Sequence, residues 1–394
     1  MPAVTPMFKK MNVMRKVLSL LLLVPVLGFS QGIYTVSNAP GSTANFKTLQ
    51  GAHDTVAAGS ILYLLPSSFT YGDVVFTKKL TVYGTGFFLG QNLDPNTQVH
   101  TAPVYVNSIR FRPGSDNSFV EGLQLAYNIA DNASVQRIVL DTVSNITISR
   151  CLISKNHSGA YGGNNNFFVL SGANNCTIRQ CYLKDDYGYN VANFITIGTS
   201  TPSFSGIQFN NNIFDWSALG ANSYSIGNSG TGGFDISGGG TANVNFVNNI
   251  FIGQLSNSRF GNLNYTNCFF VHTQTGYVPD PAQTYLNGTN LNNITNATSL
   301  FQVQGNNYLN ANLKNIFVSG LPGYHSTDQQ WMLQDTSFAN TYGQGGVAVG
   351  AFGGSAPYKL SGIPGIPYIY GLTVPPSATA PGTITVHIKA KASN

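Results

Sequence analysis

Six short segments of the chain repeat one alternation of apolar and polar positions: NSFVEGLQL from Asn117, NITISRCLI from Asn145, NCTIRQCYL from Asn175, GIQFNNNIF from Gly206, NVNFVNNIF from Asn243 and NLNYTNCFF from Asn262. Their offsets are 28, 30, 31, 37 and 19 residues. The second and fourth places alternate as one face of a strand, with Ile148, Ile178, Phe209 and Phe246 at the fourth. The apolar phase then slips to the seventh and ninth places, which predicts a bend carrying Asn or Cys and a second short strand. This unit, repeated at intervals of 20 to 40 residues, predicts stacked β-coils. Equivalent places should lie about 4.8 Å apart, so that Cys151, Cys181, Asn212 and Asn249 form a second inward row. Stacked Asn side chains bond to each other and to the bend backbone, and Asn tolerates the left-handed conformation that a sharp bend requires.

The ends of such a stack need covers, because terminal coils expose unpaired backbone and core side chains. The stretch 45–57 predicts a short capping helix with Phe46, Leu49, Ala52, His53 and Val56 on one face, ended by Gly59. The run SILYLLPSSFTYGDVVFTKKLTVYGTG reads as the first coils. Beyond residue 354 the chain is rich in Pro and Gly and leads to a candidate strand at Thr383–Ala390, a strand or hairpin tail expected to fold back on the last coil.

The opening, a short helix followed by a strand, a Pro-containing turn and a strand ending in Gly-x-Gly, resembles the entry into secreted bacterial β-helices of the pectate-lyase-like superfamily. The segment DQQWMLQDTSFANTYGQGGVAVGAFGG from Asp328 resembles their closing coil, although Ala348 or Val349 stands where those coils often carry Asp. The likeness spans residues 45–354 and implies an all-β, right-handed parallel β-helix. The expected organisation is a signal peptide over 1–31, the β-helix with its cap over 32–354 and a tail over 355–394.

Charge changes the picture only after the N-terminus is read. Lys9, Lys10, Arg15 and Lys16 precede the apolar run Val17–Phe29, and Gly28 and Ser30 form a small-x-small pair, the pattern of a signal peptide cut after Ser30 or Gln31. The expected location is secreted, extracellular or at the cell surface, and the run is too short for a membrane span. The formal charge of +5 rests on 19 basic and 14 acidic residues; four of the basic ones are in the leader, leaving 15 − 14 = +1. A near-neutral chain with no basic tract has no electrostatic reason to bind nucleic acid. Charged residues are 8% of the chain, which fits polar turns rather than charged helices.

Candidate chemistry is sparse. The resemblance implies a polysaccharide as partner, and glycosidic hydrolysis normally needs two carboxylates. Only Asp185 and Asp186 are adjacent, without the Gly-His-Gly of the family's hydrolases, and Lys184 stands beside them as a candidate base. Continuing the repeat past its ninth place brings Ser154, Lys184 and Asp215, then Lys155, Asp185, Trp216 and His272, to one edge, with Tyr187 nearby. Aromatic faces beside carboxylates and amides suit an extended sugar chain, while local packing that stiffens the loops is the competing reading. Cys151 and Cys181 would stack with Cα atoms about 5 Å apart, but stacked side chains point in parallel, so free thiols in the Asn row are expected. The sequons at Asn132, Asn145 and Asn264 read as turn and ladder residues before glycosylation sites. The function expected is therefore that of a non-catalytic binding or structural β-helix whose partner is a polysaccharide or cell-surface glycan. The alternative is a polysaccharide lyase or glycoside hydrolase acting on an extended acidic glycan. No cofactor is expected for the first reading, and Ca²⁺ only for a lyase.

Overall fold

The computed structural model describes residues 31–92, 98–125, 136–155, 167–185, 193–197, 205–215, 233–237, 244–253, 264–272, 308–309, 316–376 and 382–392. The expected signal peptide lies outside these residues. Strand is the dominant regular structure of the described chain, with one α-helix, and the strands stack into three parallel sheets of nine, eight and six strands, a β-helix-like solenoid. Each complete coil gives one strand to each sheet. From Phe119–Glu121 in the nine-stranded sheet the chain turns into Gln124–Leu125 of the eight-stranded sheet, passes to Ile138–Asp141 of the six-stranded sheet and re-enters the first at Thr147–Ser149.

The register follows the sequence repeat. Val120, Ile148, Ile178, Phe209, Phe246 and Tyr265 are successive parallel partners. Leu125, Ile153, Leu183, Phe214, Phe251 and Phe270 form the ninth-place stack. Large rings of adjacent coils stack face to face, Phe209 on Phe246 at 4.9 Å and Phe214 on Phe251 at 4.6 Å. All four rings are fully buried.

Among the described residues the seventh place carries a row of buried polar groups. Asn249 Nδ2 donates to the Phe209 carbonyl (2.7 Å), and its Oδ1 accepts from Asn212 N (2.8 Å) and Asn212 Nδ2 (3.0 Å). Asn212 repeats the pattern one coil earlier, with Oδ1 accepting from Cys181 N at 2.9 Å and Nδ2 donating to the Ile178 carbonyl at 3.0 Å. Cys181 and Cys151 continue the row as buried free thiols whose Sγ atoms lie against the Arg179 and Ser149 carbonyls. Burial and the neighbouring Cys181 push the Cys151 thiol well above its ordinary range. A thiol serves here because it donates weakly to a carbonyl and otherwise packs as a small apolar group.

The bend itself sits one residue earlier than the Asn and Cys pattern suggested. Gly122, Arg150, Gln180, Asn211, Asn248 and Asn267, the sixth places, all have positive φ between 45° and 73°. A left-handed residue reverses the side-chain phase, so the seventh place turns inward and the sixth outward. The first places Asn117, Asn145, Asn175 and Gly206 are left-handed as well. Asn145 Nδ2 reaches Asn117 Oδ1 at 3.3 Å, which makes this sequon asparagine a ladder residue.

At the N-terminal end, the helix Leu49–Thr55 is capped by Thr48, whose side chain accepts from Gly51 N. Leu49, Ala52, His53 and Val56 are buried against the first coil. His53 stacks on Phe76, accepts from Thr77 N through Nε2 (3.0 Å) and meets Asp54 through Nδ1 (2.8 Å), which holds the Asp54 carboxyl below its usual value.

The segment expected to close the last coil instead runs back over the outside of the stack. Residues 316–365 cross the outer face of the eight-stranded sheet, where Leu152, Tyr182, Ile213, Ile250 and Phe269 meet Phe317, Trp331, Val349, Ala351 and Tyr358 in a second hydrophobic core. This strap passes the expected boundary at residue 354. The tail forms an antiparallel hairpin of Tyr368–Thr373 and His387–Lys391, and the Ile369 carbonyl accepts from Val99 N near the first coils rather than lying on the last one.

Replacing Phe209 or Phe246 by Ala should lower unfolding free energy by about 3–5 kcal/mol in a urea titration. A loss below about 1 kcal/mol would mean that these rings are not core.

Candidate functional site

The sequence-derived edge is only partly within the described residues. Asp186, Tyr187 and Trp216 lie outside them. For Lys155, Asp185 and His272 the strand backbone is placed: Lys155 partners Asp185, and Gly253 partners His272. Lys184 is half-buried and partners Asp215. The tenth place therefore leads under the strap, since Ser154, Asp215 and Ile252 are all buried.

Asp215 belongs to a polar network that the sequence pattern did not reveal. The Tyr182 hydroxyl donates to Asp215 Oδ2 and accepts from Trp331 Nε1 at 2.9 Å. Close by, Asp328 is wholly buried, and its carboxylate accepts from Tyr358 OH (2.7 Å), Ser361 N (2.7 Å), Ser326 Oγ (2.9 Å), Asn92 Nδ2 (3.1 Å) and Gln329 N (3.1 Å). Burial, reinforced by the Asp215 charge, holds the Tyr182 phenol well above its ordinary value of 10. Tyr358 is raised by burial and by Asp328. A buried carboxylate with five donors is a fixed anchor rather than an acid or base with access to a substrate. It ties residues 92, 326–329 and 358–361 into one knot.

The outward sixth-place side chains form a spine that holds the strap. Asn267 donates to the Tyr342 carbonyl (2.7 Å), Asn248 accepts from Gln344 N (2.7 Å), and Asn211 donates to the Ala348 and Gly350 carbonyls (3.0 Å each). Gln180 donates to the Gly353 carbonyl (3.2 Å) and Arg150 reaches that of Ile363 (3.5 Å). Gly353 has no room for a side chain, because a Cβ would fall 1.8 Å from the Ala348 oxygen.

The outer face of the nine-stranded sheet is only partly covered among the described residues. One row on it reads Phe119, Thr147, Thr177, Gln208 and Asn245, all half-buried partners in register. The parallel row reads Tyr63, Tyr83, Glu121, Ser149, Arg179, Asn210 and Val247. Tyr63 stacks on Tyr83 at 5.6 Å, and Tyr83 lies 5.8 Å from Phe119, so an aromatic ladder leads into hydroxyl and amide positions. Glu121, the chain's single Glu, is buried and pairs with Arg150 at 3.3 Å; burial raises its carboxyl, opposed by Arg150. Sequence reasoning passed over these outward places, where the signal available was the polar run Thr147, Thr177, Gln208 and Asn245 across successive coils. Among the described residues no group of three or more His, Cys, Asp or Glu could hold a metal ion, and no helix is long and apolar enough to cross a membrane.

Asp328→Asn turns an acceptor into a donor facing donors and should cost roughly 2–4 kcal/mol, with new protease cleavage between residues 340 and 364. The raised phenols give a second test. They hold their protons more tightly folded than unfolded, so their contribution is complete below pH 10 and is lost as pH rises toward their folded values. Urea midpoints measured from about pH 8 to 11 should fall, and Tyr182→Phe should fall less steeply than the parent chain.

No family model, no curated protein and no solved structure matches this chain.

Proposed function

We propose that the chain is an exported, right-handed parallel β-helix of the pectate-lyase-like kind, secreted or held at the cell surface, that binds an extended carbohydrate chain without turning it over. The observation that carries this reading is the outer face of the nine-stranded sheet, one row of which stays half-buried. There Thr147, Thr177, Gln208 and Asn245 recur at one register position in successive coils. Parallel strands repeat about every 4.8 Å, so these hydroxyls and amides form a linear series of donors and acceptors for the hydroxyls of a polymer lying along the solenoid. The Tyr63–Tyr83–Phe119 ladder adds apolar ring surface at one end.

Several other features support it. The N-terminal sequence has the charge and apolar pattern of a leader, and the opening resembles that of secreted β-helices. The two buried Asp residues under the strap are engaged in fixed hydrogen bonds, and the function needs neither as a reactive group. The loop edge with Lys155, Asp185, Tyr187, Trp216 and His272, read from the sequence register, would serve as a second contact surface.

A glycan array followed by titration of the strongest binder tests the proposal. Gln208→Ala and Asn245→Ala should each weaken binding by about 0.5–1.5 kcal/mol with unchanged thermal stability. Trp216→Ala should matter only if the loop edge also holds the chain. Asp186→Asn should leave binding nearly unaltered, whereas product release by the parent that this variant abolishes would identify a lyase or hydrolase instead.

A further inference from the structure

The hairpin of Tyr368–Thr373 and His387–Lys391 belongs to neither hydrophobic core. Its pairing of Leu372 with Ile388 and of Ile369 with Ala390, together with strand alternation, puts these four residues on one face of the ribbon. That face is bare: Ile369 is 44%, Leu372 48% and Ile388 59% exposed, and Val386, just before the second strand, is 45% exposed. The opposite face carries Tyr368 paired with Lys391 and Gly371 paired with Lys389. Lys391 Nζ lies 5.5 Å from the ring centres of both Tyr368 and Tyr370. The ribbon is therefore aliphatic on one side and cationic and aromatic on the other. A two-stranded hairpin of this kind is marginal in water unless its apolar face packs on something.

Charge narrows what covers it. Asp335 is the last acidic residue in the sequence, so residues 336–394 carry Lys359, Lys389 and Lys391 with no carboxylate side chain, a charge of +3. The chain without its leader totals +1, which leaves 1 − 3 = −2 for the part before residue 336. The near-neutral total thus conceals a cationic end. A second copy is a poor occupant. Antiparallel pairing of two His387–Lys391 edges would set the lysines of both chains against each other, the like-charge arrangement that keeps strand edges apart. Face-to-face packing would bury about four side chains on each copy, well under the roughly 20–30 residues a side of a stable interface. A lipid surface bearing negative charge suits both faces. Aliphatic side chains enter the boundary between headgroups and acyl chains, while Lys and Tyr favour the headgroup level. Side chains stand about 5 Å off a sheet on either side, half the spacing of packed sheets. The ammonium groups then lie within the Debye length of about 8 Å from the headgroups.

We propose that this hairpin docks the chain on an anionic lipid surface, with Ile369, Leu372 and Ile388 inserted and Lys389 and Lys391 held over the lipid phosphates. The assignment rests on the reading of the chain as exported and held at a surface, and names what holds it there.

The processed chain, beginning at residue 32, is the form to test, because the leader would itself bind lipid. Cosedimentation with phosphatidylcholine vesicles, with and without phosphatidylglycerol, should show binding that requires the anionic lipid. Lys389→Gln and Lys391→Gln should each weaken it about fivefold. Leu372→Ser combined with Ile388→Ser should weaken it at least tenfold without moving the thermal transition of the solenoid. If that pair of changes unfolds the hairpin, Ile388→Trp decides: its emission, less that of the parent chain, should shift to the blue on anionic vesicles. Equal binding to pure phosphatidylcholine, binding indifferent to the serine variant, or no blue shift would each overturn the assignment. So would dimerisation of the parent in lipid-free solution that Ile388→Ser abolishes, which would give the face to a second copy. Affinity for soluble polyglutamate equal to that for vesicles would give it to an acidic protein. Glycan titration of the same preparation reports on the carbohydrate reading separately, and N-terminal sequencing of the chain from its native cell reports on export.

Discussion

A parallel coil can turn sharply from one sheet into the next only if a residue adopts the left-handed conformation, and the rest of this structure depends on that corner. At the sixth place the chain uses Gly, Arg, Gln and Asn in succession, all with positive φ. The phase reversal at the corner sends the seventh side chain into the core and leaves the sixth projecting outward. The inward residue must satisfy backbone groups that the bend frees, which Asn212 and Asn249 do with both ends of their amides. The outward residue is free to bind something else, and here it binds the strap.

The strap makes the eight-stranded sheet a wall buried on both sides. Its inner face packs Leu125, Ile153, Leu183 and Phe214, while its outer face packs Leu152, Tyr182, Ile213 and Ile250 under Trp331, Val349 and Tyr358. Fully buried parallel strands read as nearly continuous apolar runs rather than alternating ones, which is why the paired apolar endings CLI, CYL, NIF and CFF recur in the repeat. Apolar cover alone would not fix the strap's position along the solenoid. Amide-to-carbonyl bonds along the spine and the five donors on Asp328 do so, since each requires a particular partner.

How much of this was legible in the sequence differs by element. The inward rows could be read because period-two alternation and a fixed offset are both visible in one dimension, and Ile148, Ile178, Phe209 and Phe246 stack as that pattern requires. The free thiols followed from the same register. The strap was not legible as a strap, because its contacts join residues far apart in sequence: Tyr182 to Trp331, Arg150 to Ile363, Asn92 to Ser361. Nothing periodic marks those partners. Asp328 entered the sequence reading only as the first residue of the segment resembling a closing coil, and burial among five donors is what distinguishes it. Lys155, Asp185 and His272 end their strands, and the sequence between one strand and the next varies in length from coil to coil, so a repeat register says where those segments start and not where they go.

The spine also acts as a ruler. Stacked solenoids ordinarily gain or lose whole coils with little penalty, because each unit contacts only its neighbours. Here every sixth-place residue from Asn267 back to Arg150 is matched to its own stretch of strap, from Tyr342 to Ile363. A duplicated coil would present a corner with no strap beside it, and a deleted one would leave strap without a corner. The number of coils and the length of the returning segment are therefore one inherited quantity, and this solenoid is closed to the modular growth that its architecture otherwise invites.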